Sequence, residues 1–225
     1  MKKNEEAIDF AKKNNGFITL KEAKTLGISN GTIFYLTENS IFEKSDIGVY
    51  VLKDTFDDPY FNLQNRCQKG IFSGVSALFL QGLTDINPTK IVLTFPKGYN
   101  YMHVIREDVE CHVVDKDKYD YGIIKVQSEM NNELRCYCAE RTLCEILKPR
   151  NKVDIRIITD AFKMYVKSGK HDFNKLLEYA KIFKVEEKVR SYLEVLLWSI
   201  RRDANITLSL GRGYFFRPFY VSLCK

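Results

Sequence analysis

Apolar residues recur at three- and four-residue intervals near the start of the chain. Ala7, Ile8, Phe10 and Ala11 mark one face of a helix over residues 5–14, and Asn15-Gly16 supplies its stop. Phe17-Ile18 reads as a short extended piece. Thr19 with Glu22 three positions on has the capping-box pattern, and Leu20, Ala23 and Leu26 give a second helix its inward face. Gly27 permits the left-handed backbone of a sharp turn, Ile28 is suited to plug the core, and Ser29 is suited to cap a third helix. In that helix Ile33 and Leu36 face inward, while Asn30, Thr32, Tyr35 and Glu38 face out. IFEK and VYVL then flank the polar, glycine-containing SDIG, a link of hairpin length. Helix, helix, helix, hairpin is the order of a winged helix-turn-helix, predicted here for residues 1–54.

The pattern then changes. Residues 55–60, acidic and containing Pro59, read as a linker, and residues 61–225 as a second domain. Phe61 to Lys69 can be helical, and SGVSALFLQGL opens a short buried helix at Ser73. TKIVLTFPKGY, YMHVIREDVECHVV and YGIIKVQ are β-branched or alternating enough to be strands. A helix over 139–147 stops at Pro149. Asp154 and Asp172 can cap two more, with stripes at Ile158, Ala161, Phe162, Tyr165 and Val166 and at Phe173, Leu176, Leu177 and Ala180, and Val189, Tyr192, Leu193 and Leu196 line a last one. The predicted class is α+β: an N-terminal winged helix-turn-helix followed by a mixed α+β domain ending in helical hairpins.

With 225 residues and 45% hydrophobic content, the chain exceeds the usual single domain of about 100–150 residues. The charged N-terminus and the lack of an apolar run of about 18 residues predict a cytoplasmic protein without membrane contact. Six scattered cysteines without a CxxC pair fit reduced thiols, and no metal or cofactor is expected.

The net charge of +6 is unevenly placed. Residues 1–54 carry eight basic and eight acidic residues, 55–135 nine against eleven, and 136–225 eighteen against ten. The positive excess therefore lies in the last part of the chain. Lys163 and Lys167, spaced by four, and Lys181, Lys184 and Lys188, spaced by three and four, would each share a helix face and attract a polyanion. Arg141 belongs either to that surface or, with Glu140, to ion pairs tying its helix to a neighbour. In the tail, Arg201, Arg202, Arg212 and Arg217 interleave with Tyr214, Phe215, Phe216 and Phe219, a pattern that suits stacking on nucleic acid.

Enzyme chemistry finds no assembled constellation. There is no GxxxxGK[ST] loop, HExxH or GxSxG, and the acidic residues of REDVECHVVDKDKYD read as a strand edge and loop.

The run GFITLKEAKTLGISNGTIFYLTENSIFEKSDIGVYVL resembles the N-terminal winged-helix domain of the AbiEi family, the antitoxin half of bacterial type IV abortive-infection toxin–antitoxin systems. FSGVSALFLQGLTD, IVLTFPKGY, CAERTLCEILKPRNKVD and FNKLLEYAKIFKVEEKVRSYLEVLL resemble family segments in the same order, so the likeness spans about residues 5–197. It implies a transcriptional autorepressor whose winged helix binds inverted repeats in its own promoter, and a C-terminal domain that counteracts a nucleotidyltransferase-type toxin without a stable complex. The protein would be a monomer in solution, paired on DNA, and not an enzyme. The chain departs from the family where arginines usually begin the reading helix and occupy the wing: here stand Asn30, Gly31, Ile47 and Val51. Glu145 also stands where the family usually has Asp.

DNA contacts are accordingly expected from Asn30, Thr32 and Tyr35 at an A·T-rich site, with Ser29 at the helix start and phosphate neutralisation by Lys21, Lys24 and Lys44. The alternative is a regulator or adaptor whose winged helix contacts protein or RNA, leaving nucleic-acid binding to the basic C-terminal helices.

Overall fold

In the computed structural model, which describes residues 2–104, 107–169 and 171–196, the side chains of Thr19, Ser29, Asp58, Asp154 and Asp172 each cap the start of a helix. The first unit contains α1 (Lys2–Lys13), β1 (Phe17–Thr19), α2 (Leu20–Thr25), α3 (Asn30–Glu38), β2 (Phe42–Asp46) and β3 (Val49–Leu52). Its three strands form an antiparallel sheet in the order β1-β3-β2. The capping box predicted for Thr19 and Glu22 is formed, with Glu22 Oε2 accepting from the Thr19 backbone N–H at 2.8 Å. Gly27, at φ +66°, turns the chain from α2 towards α3. Ala7, Ala11, Ile18, Ala23, Ile28, Ile33, Leu36 and Phe42 form one buried cluster, and of the other inward positions read from the periodicity Ile8, Phe10, Leu20 and Leu26 pack against it partly buried.

The second unit runs α4 (Pro59–Arg66), β4 (Ile71–Phe72), α5 (Gly74–Leu80), β5 (Ile91–Pro96), β6 (Val109–Val114), α6 (Lys116–Tyr119), β7 (Ile123–Gln127), β8 (Glu133–Tyr137), α7 (Ala139–Ile146), α8 (Ile155–Lys167), α9 (Phe173–Ile182) and α10, described over residues 186–196. Five strands form a mixed sheet in the order β6-β5-β4-β8-β7. The architecture is mixed α+β. β4 and β8 were not anticipated: two residues are too short to carry an alternation, and β8 reads in sequence as the approach to α7. Leu134 and Cys136 of β8 nevertheless alternate inward and are fully buried. Two cores result. One lies between the sheet and α4, around Phe72, Leu93 and Phe95, and the other among α5, α7, α8, α9 and α10, around Leu143, Phe162, Leu176 and Val189.

The segment 55–60 is not the free linker expected from its acidic composition. Asp58 is buried, caps α4 through the Phe61 N–H, and accepts from Ser128 Oγ at 2.5 Å and Asn132 Nδ2 at 2.8 Å. Pro59 and Tyr60 are already helical. A carboxylate removed from water needs such donors, so the joint is pinned to the second unit. Across it Phe17 meets Phe61 edge-on with ring centroids 5.2 Å apart, beside Val49, Val51 and Met130. Asn15 Nδ2 also donates to the Asn131 carbonyl at 3.0 Å. The basic and aromatic tail predicted to stack on nucleic acid lies outside the described residues, as does Cys224.

Candidate nucleic-acid interface and basic cleft

The outward face of α3 is built by its cap. Ser29 is extended, and its Oγ accepts the Thr32 N–H at 3.1 Å and lies 3.0 Å from Thr32 Oγ1. The two hydroxyls thus satisfy each other and the helix start, leaving mainly the Thr32 methyl to meet a partner. Asn30 and Tyr35 are exposed, the latter by 55%, and so is Phe34 by 64%. No basic residue lies on α3. Lys21 and Lys24 are exposed on α2, and Lys44 is exposed on β2, where the register shifts between Lys44 and Asp46. Ile47, at the hairpin tip, is 67% exposed.

In the second unit, Lys163 and Lys167 sit exposed on α8, with Lys163 3.2 Å from Asp160. Lys181, Lys184 and Lys188 do not share a helix face as their spacing suggested. Lys181 lies in the last turn of α9, Lys184 adopts φ +59° in the turn that follows, and Lys188 belongs to α10. The left-handed residue breaks the helix, so the spacing no longer describes one surface. Lys184 and Lys188 instead join Lys97, Lys118, Lys148 and Arg150 around a cleft of about 940 Å³.

Topology explains this convergence. β5 and β6 are parallel, with Pro96 opposite Val114, so both strands leave the sheet at one edge and deliver Lys97 and Asp115 together. Asp115, the cleft's carboxylate, lies 3.8 Å from Lys97 and 4.0 Å from Lys118. On the opposite wall, Pro149 ends α7 and turns the chain into a 3₁₀ segment flanked by Lys148 and carrying Arg150. Lys188 Nζ donates to the Leu147 carbonyl at 3.1 Å, tying α10 to this wall. Among the described residues, Lys148, Arg150 and Lys184 have no carboxylate within ion-pair distance, and neither has Lys188. The Lys148 ammonium lies 4.1 Å from the centroid of the Phe183 ring. Burial pushes it down to about 8, against the pull of Glu145, with Arg150 and Arg141 adding to the depression.

Arg141 is not a surface residue. It is fully buried, with Nε and Nη2 each 3.1 Å from Glu145 Oε1 and Nη1 donating to the carbonyls of Lys118, Tyr119 and Tyr121. The alternative reading of an ion-pair tie describes its surroundings, although the partner is Glu145 on its own helix. Glu140 makes the link between elements, accepting from Tyr165 Oη at 3.1 Å and lying 3.5 Å from Lys175 Nζ. Gly122 permits the close approach at this site, because a Cβ there would lie 2.8 Å from Cys138 Sγ and 3.1 Å from Tyr179 Oη. Cys136, Cys138 and Cys144 are buried free thiols, and among the described residues no group of three His, Cys, Asp or Glu side chains is placed to hold a metal.

The chain is similar to the Rv2827c protein from Mycobacterium tuberculosis, with a TM-score of 0.53 and 12% identity, over 80% of this chain and 72% of that one. The likeness is one of fold. No family model and no curated protein matches the sequence. Among the described residues, no helix is long and apolar enough to cross a membrane.

Sequence reasoning missed Lys97, Lys118, Lys148 and Arg150 as cleft residues. The K-P-R run at 148–150 was the available signal, since a proline-stopped helix end flanked by cations exposes charge at a turn. Lys97 and Lys118 had no such signal, because parallel strand pairing brings them there.

Proposed function

We propose that residues 1–54 form a winged helix-turn-helix that reads promoter DNA, and that the protein is an autorepressor and antitoxin similar to the AbiEi family. The observation that carries this reading is α3 itself. It is capped at Ser29, anchored by Ile33 and Leu36, and presents Asn30 and Tyr35 outward, next to a helix bearing Lys21 and Lys24 and before a hairpin bearing Lys44. Asn30 has the donor–acceptor pair that adenine requires, the Thr32 methyl can meet thymine, and Tyr35 can donate to phosphate. The flanking lysines would supply the phosphate neutralisation that α3 lacks. Two copies would occupy an inverted repeat and block transcription, while the second unit counteracts a nucleotidyltransferase-type toxin without holding it in a stable complex.

The test is binding of the purified protein to DNA from immediately upstream of its own gene, against a shuffled control. Sequence-dependent binding lost in Asn30→Ala plus Tyr35→Ala supports the reading. Equal weak binding to both DNAs sinks it. Rescue of growth when a co-expressed toxin gene is induced tests the antitoxin half.

A second reading is favoured by the exposure of Phe34, Tyr35 and Ile47, three large apolar or aromatic side chains on α3 and the hairpin tip. Such residues suit a protein partner better than a phosphate backbone. In that case the module is an adaptor, and substituting Phe34 and Ile47 removes partner binding while leaving nucleic-acid binding unchanged.

A further inference from the structure

We infer that the cleft lined by Lys97, Lys118, Lys148, Arg150, Lys184 and Lys188 binds a small phosphorylated ligand of the nucleoside polyphosphate class. This goes beyond promoter reading, because the site lies wholly in the second unit and uses none of the proposed DNA contacts. Six cations from four separate stretches of chain converge on one concavity that contains a single carboxylate, Asp115. Asp115 already lies within 4.0 Å of both Lys97 and Lys118, and among the described residues the opposite wall has no carboxylate at ion-pair distance. Lys118 and Lys148 are half-buried while Lys97, Arg150, Lys184 and Lys188 are exposed around them, and cations of one sign gathered about a concavity focus a positive field on the space they share.

The cleft's size also argues for a small ligand. About 940 Å³ falls within the usual range for small-molecule sites, about 300–1,000 Å³. A nucleic-acid track would instead follow an extended stripe, yet the nearest candidate stripe in sequence is broken at Lys184. Val113, Ile182 and Val185 line the same space and give a sugar or base an apolar surface. Several cations around one cavity match a chain of phosphates better than a single carboxylate ligand, since each phosphate brings at least one negative charge.

Arg141 is a positioning residue for this cleft. Its guanidinium holds the backbone of Lys118, Tyr119 and Tyr121 against α7, and α7 delivers Lys148 and Arg150 directly. The two walls are therefore fixed to each other before any ligand arrives.

The test is calorimetric titration of the full chain with inorganic tripolyphosphate, with ATP, and with a single-stranded RNA oligonucleotide. Two charge-matched triple variants go alongside. One removes cleft cations (Lys148→Gln, Lys184→Gln, Lys188→Gln), and the other removes cations that do not line the cleft (Lys152→Gln, Lys163→Gln, Lys167→Gln). Circular dichroism melts confirm that both variants fold. The expected result is one equivalent of tripolyphosphate bound, weakened about tenfold or more by the cleft variant and less than about threefold by the control. ATP is expected to compete for the same site. Equal weakening by the two variants would overturn the proposal, because binding would then reflect net charge alone. So would the absence of saturable binding in the millimolar range. RNA binding that depends on the cleft lysines while tripolyphosphate neither binds nor competes would overturn it as well, by making the cleft part of a strand-binding surface. None of these outcomes bears on promoter binding, so failure here and failure of the DNA reading are separable.

Discussion

The Arg141 guanidinium lies over the Tyr137 ring, 3.2 Å from its centroid, and is fully shielded from water. The pair joins the last residue of β8 to the first turn of α7 and places a permanent charge inside the second unit. That charge is tolerable because Glu145 and three backbone carbonyls meet the guanidinium's donors.

Arg141→Ala should therefore cost stability far more than loss of a surface charge would. Removing it strands buried Glu145 and three carbonyls, a loss of about 3–5 kcal/mol in denaturant unfolding. Arg141→Lys should recover little, because a single ammonium does not reproduce the planar fork or the stacking. A cost under about 1 kcal/mol for the alanine variant, the level typical of exposed pairs, would refute the buried geometry.

At the joint between the units, Asp58→Ala removes a helix cap and the acceptor of Ser128 and Asn132. The expected loss is about 1–3 kcal/mol, accompanied by faster proteolytic cleavage around residues 54–58. If 55–60 behaved as a free linker, neither stability nor cleavage would change.

Ser29→Ala separates folding from recognition on α3. The lost cap should cost about 1 kcal/mol, and Ser29→Gly only a few tenths. If Ser29 acts on DNA only through the cap, Ser29→Gly retains near-normal promoter binding. A large binding loss in Ser29→Gly without a stability loss would assign its hydroxyl a direct contact.

If the proposed promoter reading holds, replacing Lys21 and Lys24 together by alanine should reduce the salt dependence of that binding. Each phosphate contact contributes about 0.9 to the slope of log K against log salt, so the slope should fall by about 2. An unchanged slope would remove α2 from the interface.

The pH response of the cleft centres on Lys148, which is influenced by Glu145, Arg141 and Cys144 on α7 and by Arg150 on the turn, with Lys184 and Lys188 lining the same cleft. Its folded-state value, about 8, lies below the ordinary 10.5. Below pH 8 both folded and unfolded chains hold the proton, and the cost of burying the charge is fully present. Between about 8 and 10.5 the unfolded chain binds more protons, so this group's contribution makes stability rise with pH. Lys148→Met should accordingly raise the unfolding midpoint most at neutral pH. Tripolyphosphate affinity should fall more steeply through pH 8 in the wild type than in Lys148→Arg, since the anion's own titration is common to both. Parallel profiles would show that Lys148 does not face the anion.

The sequence by itself determined much of the local structure of this protein. Thr19 with Glu22, Ser29, Asp154 and Asp172 announced helix starts that their side chains make, and the stripes at Ile33 and Leu36 and at Ile158 to Val166 announced the buried faces. Those signals are legible because caps and periodicity act within a turn or two of chain. What only the tertiary structure decided depends on partners far apart in sequence. Arg141 reads as a polar helix residue until the carbonyls of Lys118 to Tyr121 close over it, and Asp58 reads as linker until Ser128 and Asn132 meet it. The regular spacing of Lys181, Lys184 and Lys188 promised a shared face, but a left-handed residue breaks it. The cleft itself exists because parallel pairing of β5 with β6 carries Lys97 and Asp115 to the same edge that the end of α7 reaches. Charge at a surface can be counted from sequence, but its convergence on one space is set by strand pairing and helix packing, which act across the whole chain.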